Sequence, residues 1–316
     1  MPLHALYDLP APAKLNLFLH VIGRRADGYH LLQSIFSLID WQDTLQLERR
    51  DDGLIHRHDL GPALPADDLC LRAARALQQA SGSSQGVDIS IDKQVPWGAG
   101  LGGGSSDAAT VLLGLNRLWD LRWPRERLLA LGATLGADVP FFIGGHTAFV
   151  EGIGEILTPI ELPLHWWAVL KPAASIPTPK IFSSELVTRD TNAATVAGLL
   201  AELHRQRDTQ QQTPKATSLA EPKLPTFWGR NDLQAAAEAL CPEVQQAARQ
   251  LAERFGNSRM TGSGSAVFAD AGLIAAGDTG AGNPPVATML EGPWPDGWVG
   301  RMCRSLPEHP LVGWVN

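Results

Sequence analysis

The 316-residue sequence is poor in cysteine and has no long apolar run. Its three cysteines, Cys70, Cys241 and Cys303, lie far apart without CxxC spacing, which excludes a disulfide framework and a zinc site. The N-terminus lacks the pattern of a signal peptide, and no stretch of about 18 apolar residues could span a bilayer. We therefore expect a protein of the reducing cytoplasm with no membrane partner.

Basic residues are also scarce. The chain has 26 Lys plus Arg against 33 Asp plus Glu, a formal net charge of −7. Binding to a nucleic-acid backbone usually needs a basic surplus, so we expect no nucleic-acid partner. Only six residues are lysines, and a lysine inside a motif is therefore informative.

Length and composition predict a folded chain of two domains. Hydrophobic residues make up 44% and charged residues 19%, and a chain of this length exceeds the roughly 100–200 residues of one domain. Gly, Thr and Pro cluster at 152–162, which predicts units 1–155 and 156–316. Residues 204–226, rich in Gln, Thr and Pro, are predicted to form a mobile loop.

Periodicity places a glycine-rich segment between a strand and a helix. Alternating apolar residues predict strands at 13–22, which puts Lys14 and Asn16 on one face, and at 86–93. Apolar residues at helical spacing follow the glycines and predict a helix, with Ser105 or Ser106 as its N-cap and Asp107 in its first turn. Further on, we predict a helix that begins after Asp67 or Asp68, and a C-terminal helix ending at Gly256 before a glycine hairpin.

The glycine-rich segment itself reads PWGAGLGGGSS, residues 96–106. Its five glycines would let the backbone wrap closely around a ligand, and free N–H groups of the helix start suit a phosphate. The alternative is a plain flexible turn. A GxGxxG match with Asp120 downstream also fits a dinucleotide site, but the alternating strand is unlike a buried Rossmann strand. No Walker lysine follows the glycines, and no HRD or DFG occurs.

Three segments together resemble the GHMP kinases, the superfamily of galactokinase and of homoserine, mevalonate and phosphomevalonate kinases. They are PAKLNLFLHVIGRRADGYH (12–30), PWGAGLGGGSS (96–106) and RMTGSGSAVF (259–268). The resemblance implies an α+β fold with an N-terminal domain like domain 2 of ribosomal protein S5 and a ferredoxin-like C-terminal domain. It also implies transfer of a phosphoryl group from ATP, with Mg²⁺, to a small-molecule alcohol.

Two further segments, ATLGADVPFF and ASIPTPKIF, make the chain most similar to family members that act on a cytidyl diphosphate sugar alcohol in isoprenoid precursor synthesis. The resemblance implies that Asp138 accepts the proton of the acceptor hydroxyl while Lys14 orients Asp138 and stabilises negative charge. From the residues alone, Asp138 could equally cap a helix that begins at Val139. Lys14 could likewise be a solvated lysine at a strand start.

The resemblance also implies a set of binding residues. Those for ATP and its phosphates are Lys93, Pro96, Trp97, Gly98, Ala99, Gly100, Leu101, Gly102, Gly103, Gly104, Ser105 and Ser106. Those for the substrate are Asn16, Tyr29, His30, Thr178, Phe182, Thr261 and Gly262. Tyr29, His30 and Phe182 would hold the cytosine by stacking and hydrogen bonds, and Ser106 is the candidate protein ligand of Mg²⁺.

The sequence departs from the family pattern at two positions. Asp68 and Asp107 stand where Asn is familiar, and we can assign no counterpart of the helix glutamate that binds Mg²⁺ in some members. A non-catalytic ligand sensor and a Rossmann oxidoreductase are the competing hypotheses. The presence of both Lys14 and Asp138 disfavours the sensor. The sequence is compatible with a monomer or a homodimer.

Overall fold

The computed structural model of the chain describes residues 3–198, 201, 229–274, 290 and 294–315. They form two β-sheets with helices packed against them, which confirms the predicted α+β class. The predicted mobile loop at 204–226 lies outside the described residues. Within the described part of the chain, no helix is both long and apolar enough to cross a membrane.

The first sheet is built on two long antiparallel strands, β1 (Ala5–Arg24) and β2 (His30–Arg50). The predicted strand at 13–22 is the middle of β1. The other four strands are β3 (Ile55–Asp59), β4 (Gly86–Asp92), β5 (Ala148–Glu151) and β6 (Ile156–Pro159). Only β3 and β4 pair in parallel, so this is not the parallel sheet of a Rossmann fold.

Four helices accompany the first sheet. They are α1 (Leu69–Ser81), α2 (Gly103–Leu118), α3 (Arg125–Ala133) and α4 (Val139–Gly144). Asp68 caps α1 by accepting the backbone N–H of Leu71 at 3.1 Å, as predicted. The predicted serine cap of α2 is wrong, because the helix begins earlier, with Gly102 as its N-cap. Asp107 consequently lies beyond the first turn.

The second sheet is antiparallel throughout, with the order β10-β7-β9-β8. Its strands are β7 (His165–Lys171), β8 (Arg259–Met260), β9 (Val267–Leu273) and β10 (Val299–Arg304). Its helices are α5 (Thr178–Phe182), α6 (Gln234–Leu240) and α7 (Pro242–Phe255). The predicted end of α7 at Gly256, in the left-handed conformation, and the hairpin of β8 and β9 are confirmed. The division into units 1–155 and 156–316 stays a prediction.

A shared apolar core joins the two sheets. Leu15 and Phe18 of β1 and Trp41 of β2 cluster there with Trp167 of β7 and Phe268 of β9. Strand β1 is therefore buried along most of its length. Any polar side chain in the middle of β1 is consequently withdrawn from bulk water and needs a partner or a ligand.

The last described segment returns to the first sheet. Leu311 and Val315 are buried in the core formed by α1, α2 and α4. Arg125, at the start of α3, donates hydrogen bonds to the carbonyls of Ile143 at 2.7 Å, Val312 at 2.6 Å and Val315 at 2.7 Å. One guanidinium thus ties the end of α4 to the C-terminal segment.

This contact predicts a large stability effect of Arg125→Met. Three carbonyls would lose a charged donor, so we expect the free energy of unfolding to fall by about 3 kcal/mol. Urea unfolding followed by tryptophan fluorescence measures the change. Arg122→Met is the control, because Arg122 is exposed and pairs with exposed Asp120; its effect should stay below about 0.5 kcal/mol. Equal effects of the two variants would contradict the assigned role.

Candidate active site

Strand β1 places Lys14 and Asn16 side by side in the cleft between the sheets. The Lys14 ammonium donates to Asn16 Oδ1 and lies 3.5 Å from Asp138 Oδ2. It also lies 4.4 Å from the centre of the Phe36 ring. Burial lowers the pKa of Lys14, an effect that the charge of Asp138 opposes. The prediction that Lys14 and Asn16 share a face is confirmed, and Lys14 is not a solvated lysine.

Asp138 occupies the N-cap position of α4, yet its carboxylate makes no capping hydrogen bond. Instead it faces Lys14 and stays 31% exposed as a side chain. Asp138 thus stands at the N-cap position that one interpretation of the sequence predicts. Its side chain, however, pairs with Lys14, as the family resemblance implies, and does not cap the helix. A carboxylate that is paired and still accessible can accept a proton from a ligand.

A cavity of about 260 Å³ opens next to this ion pair. Of the predicted catalytic and substrate residues, the structure brings together Lys14, Asn16, Asp138, Thr178, Phe182 and Gly262 in its lining. Thr261 lies directly beside it, because its hydroxyl accepts the backbone N–H of Asn16 at 2.8 Å. Most of the predicted substrate set therefore surrounds one cavity.

The glycine loop alternates strained turns with buried anchors. Gly98, Gly100 and Gly102 have φ values of 62°, 76° and 73°, in the left-handed region that favours glycine. Between them, Ala99 and Leu101 are buried in the core shared by the sheets. The alternation of glycine with an apolar residue therefore fixes the path of the loop, whereas a flexible turn would carry no such anchors.

A second cavity, of about 280 Å³, is formed mainly by the glycine loop. Every predicted phosphate residue from Pro96 to Ser105 lines it, and so does Lys93. The two cavities share Gly100, Gly102, Thr178 and Ser263. Lys14 lines the first cavity next to shared Gly102, and two ligands bound in the two cavities would be neighbours.

Two predicted ATP residues lie deeper than expected. The ammonium of Lys93 is held by the carboxylates of Asp43 and Asp107, and the side chain is only 13% exposed. Ser106 is fully buried, and its hydroxyl has no hydrogen-bond partner among the described residues. It is not among the residues that line either cavity, and its role as a Mg²⁺ ligand stays a prediction.

Of the three predicted cytosine residues, Phe182 lines the first cavity and His30 packs against Phe182. The rings of His30 and Phe182 stack with centroids 5.0 Å apart, and Arg189 donates to His30 Nε2 at 3.2 Å. Burial, together with Arg189 and Arg24, lowers the pKa of His30, so the ring is neutral at pH 7. Tyr29 is 61% exposed and is therefore not a core aromatic. It does not line the cavity.

Sequence reasoning missed Asp43 and Ser34. Ser34 accepts a hydrogen bond from Asn16 Nδ2 at 3.0 Å and orients that amide. Asp43 interrupts the apolar alternation of Trp41, Leu45 and Leu47, and an acidic residue on the buried face of a strand is a signal that could have found it. Nothing in the sequence singles out Ser34.

Comparison with known proteins agrees with this arrangement. Residues 68–146 match the family model of the GHMP kinases N terminal domain, and residues 217–271 match that of GHMP kinases C terminal. A 4-diphosphocytidyl-2-C-methyl-D-erythritol kinase of Methylibium petroleiphilum is 60% identical over 316 residues, which is 100% of both chains. This chain belongs to the GHMP kinase family. It is a small-molecule kinase that uses ATP.

Other relatives of this GHMP kinase agree. A protein of the same name from Verminephrobacter eiseniae is 52% identical over 99% of both chains. A crystal structure of a 4-(cytidine 5'-diphospho)-2C-methyl-D-erythritol kinase is 34% identical, with a TM-score of 0.70 over 95% of this chain and 98% of that one. Homoserine kinase from Cytophaga hutchinsonii, 15% identical with a TM-score of 0.59 over 97% and 95%, shares the fold. The two-domain GHMP kinase fold is thereby confirmed.

The geometry of the glycine loop predicts that Gly102→Ala impairs this kinase. A Cβ at Gly102 would meet the Phe142 ring at 3.0 Å and Lys14 Cε at 3.2 Å, and alanine in the left-handed conformation costs about 1 kcal/mol. Displacing Lys14 should lower kcat at least about tenfold. Steady-state ADP release measures this.

Gly144→Ala is the matched control for this variant. A Cβ there meets no atom within 4 Å, and Gly144 has no left-handed φ. We expect it to retain the wild-type kcat. A wild-type kcat for Gly102→Ala as well would contradict the assigned geometry.

Proposed function

We propose that this kinase transfers the γ-phosphoryl group of ATP to the 2-hydroxyl of 4-diphosphocytidyl-2-C-methyl-D-erythritol. The products are its 2-phosphate and ADP, in the non-mevalonate (MEP) route to isoprenoid precursors. The observation that carries the proposal is the ion pair of buried Lys14 and accessible Asp138 in the first cavity, beside Gly102, which both cavities share. The full-length similarity to kinases named for this substrate supports the choice of acceptor.

The ion pair supplies both groups that phosphoryl transfer to an alcohol needs. Asp138 accepts the proton of the acceptor hydroxyl, because its carboxylate is accessible from the first cavity. Lys14 holds Asp138 in place, and its positive charge stabilises the charge that develops on the transferred group. Asn16 fixes the Lys14 ammonium from the other side, so the two catalytic groups are positioned before the ligands arrive.

The glycine loop binds the phosphates of ATP in the second cavity. The backbone N–H groups of Gly98 to Gly104 and the positive start of α2 are directed at an anion there. Mg²⁺ neutralises phosphate charge when bound. Among the described residues, the buried hydroxyl of Ser106 has no hydrogen-bond partner, and a hydroxyl oxygen is a hard ligand suited to that ion. Ser106 directly follows Ser105 of the cavity lining, so the Ser106 hydroxyl and the oxygens of ATP would hold the ion.

The part of the first cavity that Phe182 lines accommodates the cytidyl group. Phe182 and His30 already present a stacked pair of rings there, and exposed Tyr29 can add a further ring face. Thr178 of α5 and Gly262 of the hairpin after β8 line the cavity and contact the sugar alcohol and diphosphate. Thr261 is buried behind them and positions the backbone of Asn16. All three cysteines are free and buried, which agrees with an enzyme of the reducing cytoplasm.

The choice of acceptor is testable with a short panel of alcohols. Purified protein with ATP and Mg²⁺ should release ADP with 4-diphosphocytidyl-2-C-methyl-D-erythritol and much less with mevalonate or homoserine. Faster turnover of either competitor would contradict the proposed acceptor. Ligand binding without ADP release would favour the sensor. Thermal protection by NAD but not by ATP and Mg²⁺ would favour an oxidoreductase.

The role of Asp138 predicts a defect in turnover and not in ATP binding. Asp138→Asn removes the proton acceptor, so kcat should fall by about 10² to 10⁴, while the Kd of ATP changes little. Single-turnover kinetics and calorimetry separate the two quantities. Asp120→Asn is the control, since Asp120 is exposed and pairs only with exposed Arg122 among the described residues. Near-wild-type kcat for Asp138→Asn would remove Asp138 from catalysis.

A further inference from the structure

Asp43 is a buried carboxylate at the entrance to the glycine loop. It lies on the same face of β2 as Trp41, Leu45 and Leu47 and is 0% exposed. A carboxylate in such apolar surroundings is costly unless both of its oxygens are engaged. Asp43 lines neither of the two cavities, so contact with a ligand does not explain its position.

Both oxygens of Asp43 are engaged by residues 93–95. Its Oδ1 accepts the backbone N–H groups of Gln94 at 2.6 Å and Val95 at 2.8 Å, and its Oδ2 accepts from the Lys93 ammonium. Trp41 donates its indole N–H to the Gln94 carbonyl at 2.8 Å. Strand β2 thus fixes the backbone directly before Pro96, where the glycine loop begins.

Lys93 extends this restraint to the other end of the loop. Its ammonium also donates to Asp107 Oδ2, on α2, at 2.5 Å. Burial alone would lower the pKa of Lys93, but the two carboxylates raise it, so the ammonium stays charged. A Cβ at Gly103 would come within 3.4 Å of Lys93 Nζ and 3.0 Å of Val95. Asp43, Lys93 and Asp107 therefore brace the entry and the exit of the loop at once.

We propose that Asp43 is a positioning residue for ATP, which sets the path of the glycine loop through Lys93 and two backbone N–H groups without contacting either ligand. The proposal rests on the proposed function, because it takes the glycine loop to be the site of the ATP phosphates. The role concerns ATP and not the alcohol, since the hydrogen bonds of Asp43 go to Lys93, Gln94 and Val95, and none of these residues lines the first cavity.

Asp43→Asn tests the proposal with little change in volume. The amide keeps one oxygen for the N–H groups of Gln94 and Val95 but turns its NH₂ group toward the Lys93 ammonium. Losing a charge-assisted hydrogen bond should raise the KM for ATP about tenfold to a hundredfold. The KM for the alcohol should stay within about twofold of wild type. Hydrogen exchange at residues 94–106, followed by mass spectrometry, should accelerate.

Asp40→Asn is the matched control. Asp40 lies on the same strand, but its carboxylate accepts the backbone N–H of Arg304 at 2.8 Å, on the second sheet. We expect the KM for ATP and the exchange of residues 94–106 to remain at wild-type values. Trp41→Phe serves as a second variant in case Asp43→Asn does not fold. It removes the indole hydrogen bond to the Gln94 carbonyl together with part of a ring that is buried in the core shared by the sheets, and it should raise the KM for ATP about threefold to tenfold.

The remaining outcomes distinguish the inference from the proposed function. An unchanged KM for ATP in the folded variants, or an equal rise in both KM values, would overturn the role of Asp43. In that case, normal ADP release by the wild type leaves the proposed function standing. Absence of ADP release from wild type with 4-diphosphocytidyl-2-C-methyl-D-erythritol would instead contradict the proposed function.

Discussion

The glycine loop is held by main-chain hydrogen bonds from both sheets, and the active site depends on this. The carbonyl of Leu101 accepts the N–H of Lys14 at 2.9 Å. On the other side, the carbonyls of Gly98 and Ala99 accept the N–H groups of Ser265 at 3.2 Å and Ala266 at 3.0 Å. The cavity of the glycine loop, Lys14 and the hairpin of the second sheet are therefore linked by hydrogen bonds, and a shift between the sheets would disturb all three.

The burial of Lys14 in this arrangement leaves a positive charge in the site that is only partly compensated. The Lys14 ammonium is buried, and its only ionic partner among the described residues, Asp138, lies 3.5 Å away and partly faces solvent. Such an ammonium has lost most of its hydration without full compensation, which is why its pKa is lowered. The phosphates of ATP can supply the missing negative charge when they bind. Ligand binding would then offset the unfavourable desolvation of the Lys14 ammonium, which the folded protein compensates only in part.

The sequence predicts the parts of the site that are local in the chain. Periodicity placed Lys14 and Asn16 on one face, and the glycine pattern located the phosphate loop, because both signals arise from neighbouring residues. Contacts between distant segments were not predictable in this way. The N-cap of α2 is Gly102 and not one of the predicted serines, because a glycine in the left-handed conformation can start the helix before the serines. The local pattern can show that Asp43 is an acidic residue on a buried strand face, but its partners at 93–95 follow from contact with a distant segment.

The return of residues 305–315 to the first sheet has a consequence for synthesis. Leu311 and Val315 complete a core whose other members lie before residue 151. At about 5–20 residues per second, a ribosome needs roughly ten to thirty seconds to add the intervening chain. During that interval the N-terminal half exposes an unfilled apolar groove, and Arg125 lacks the Val312 and Val315 carbonyls. The core of the part of the protein that is synthesised first is therefore the last to be completed.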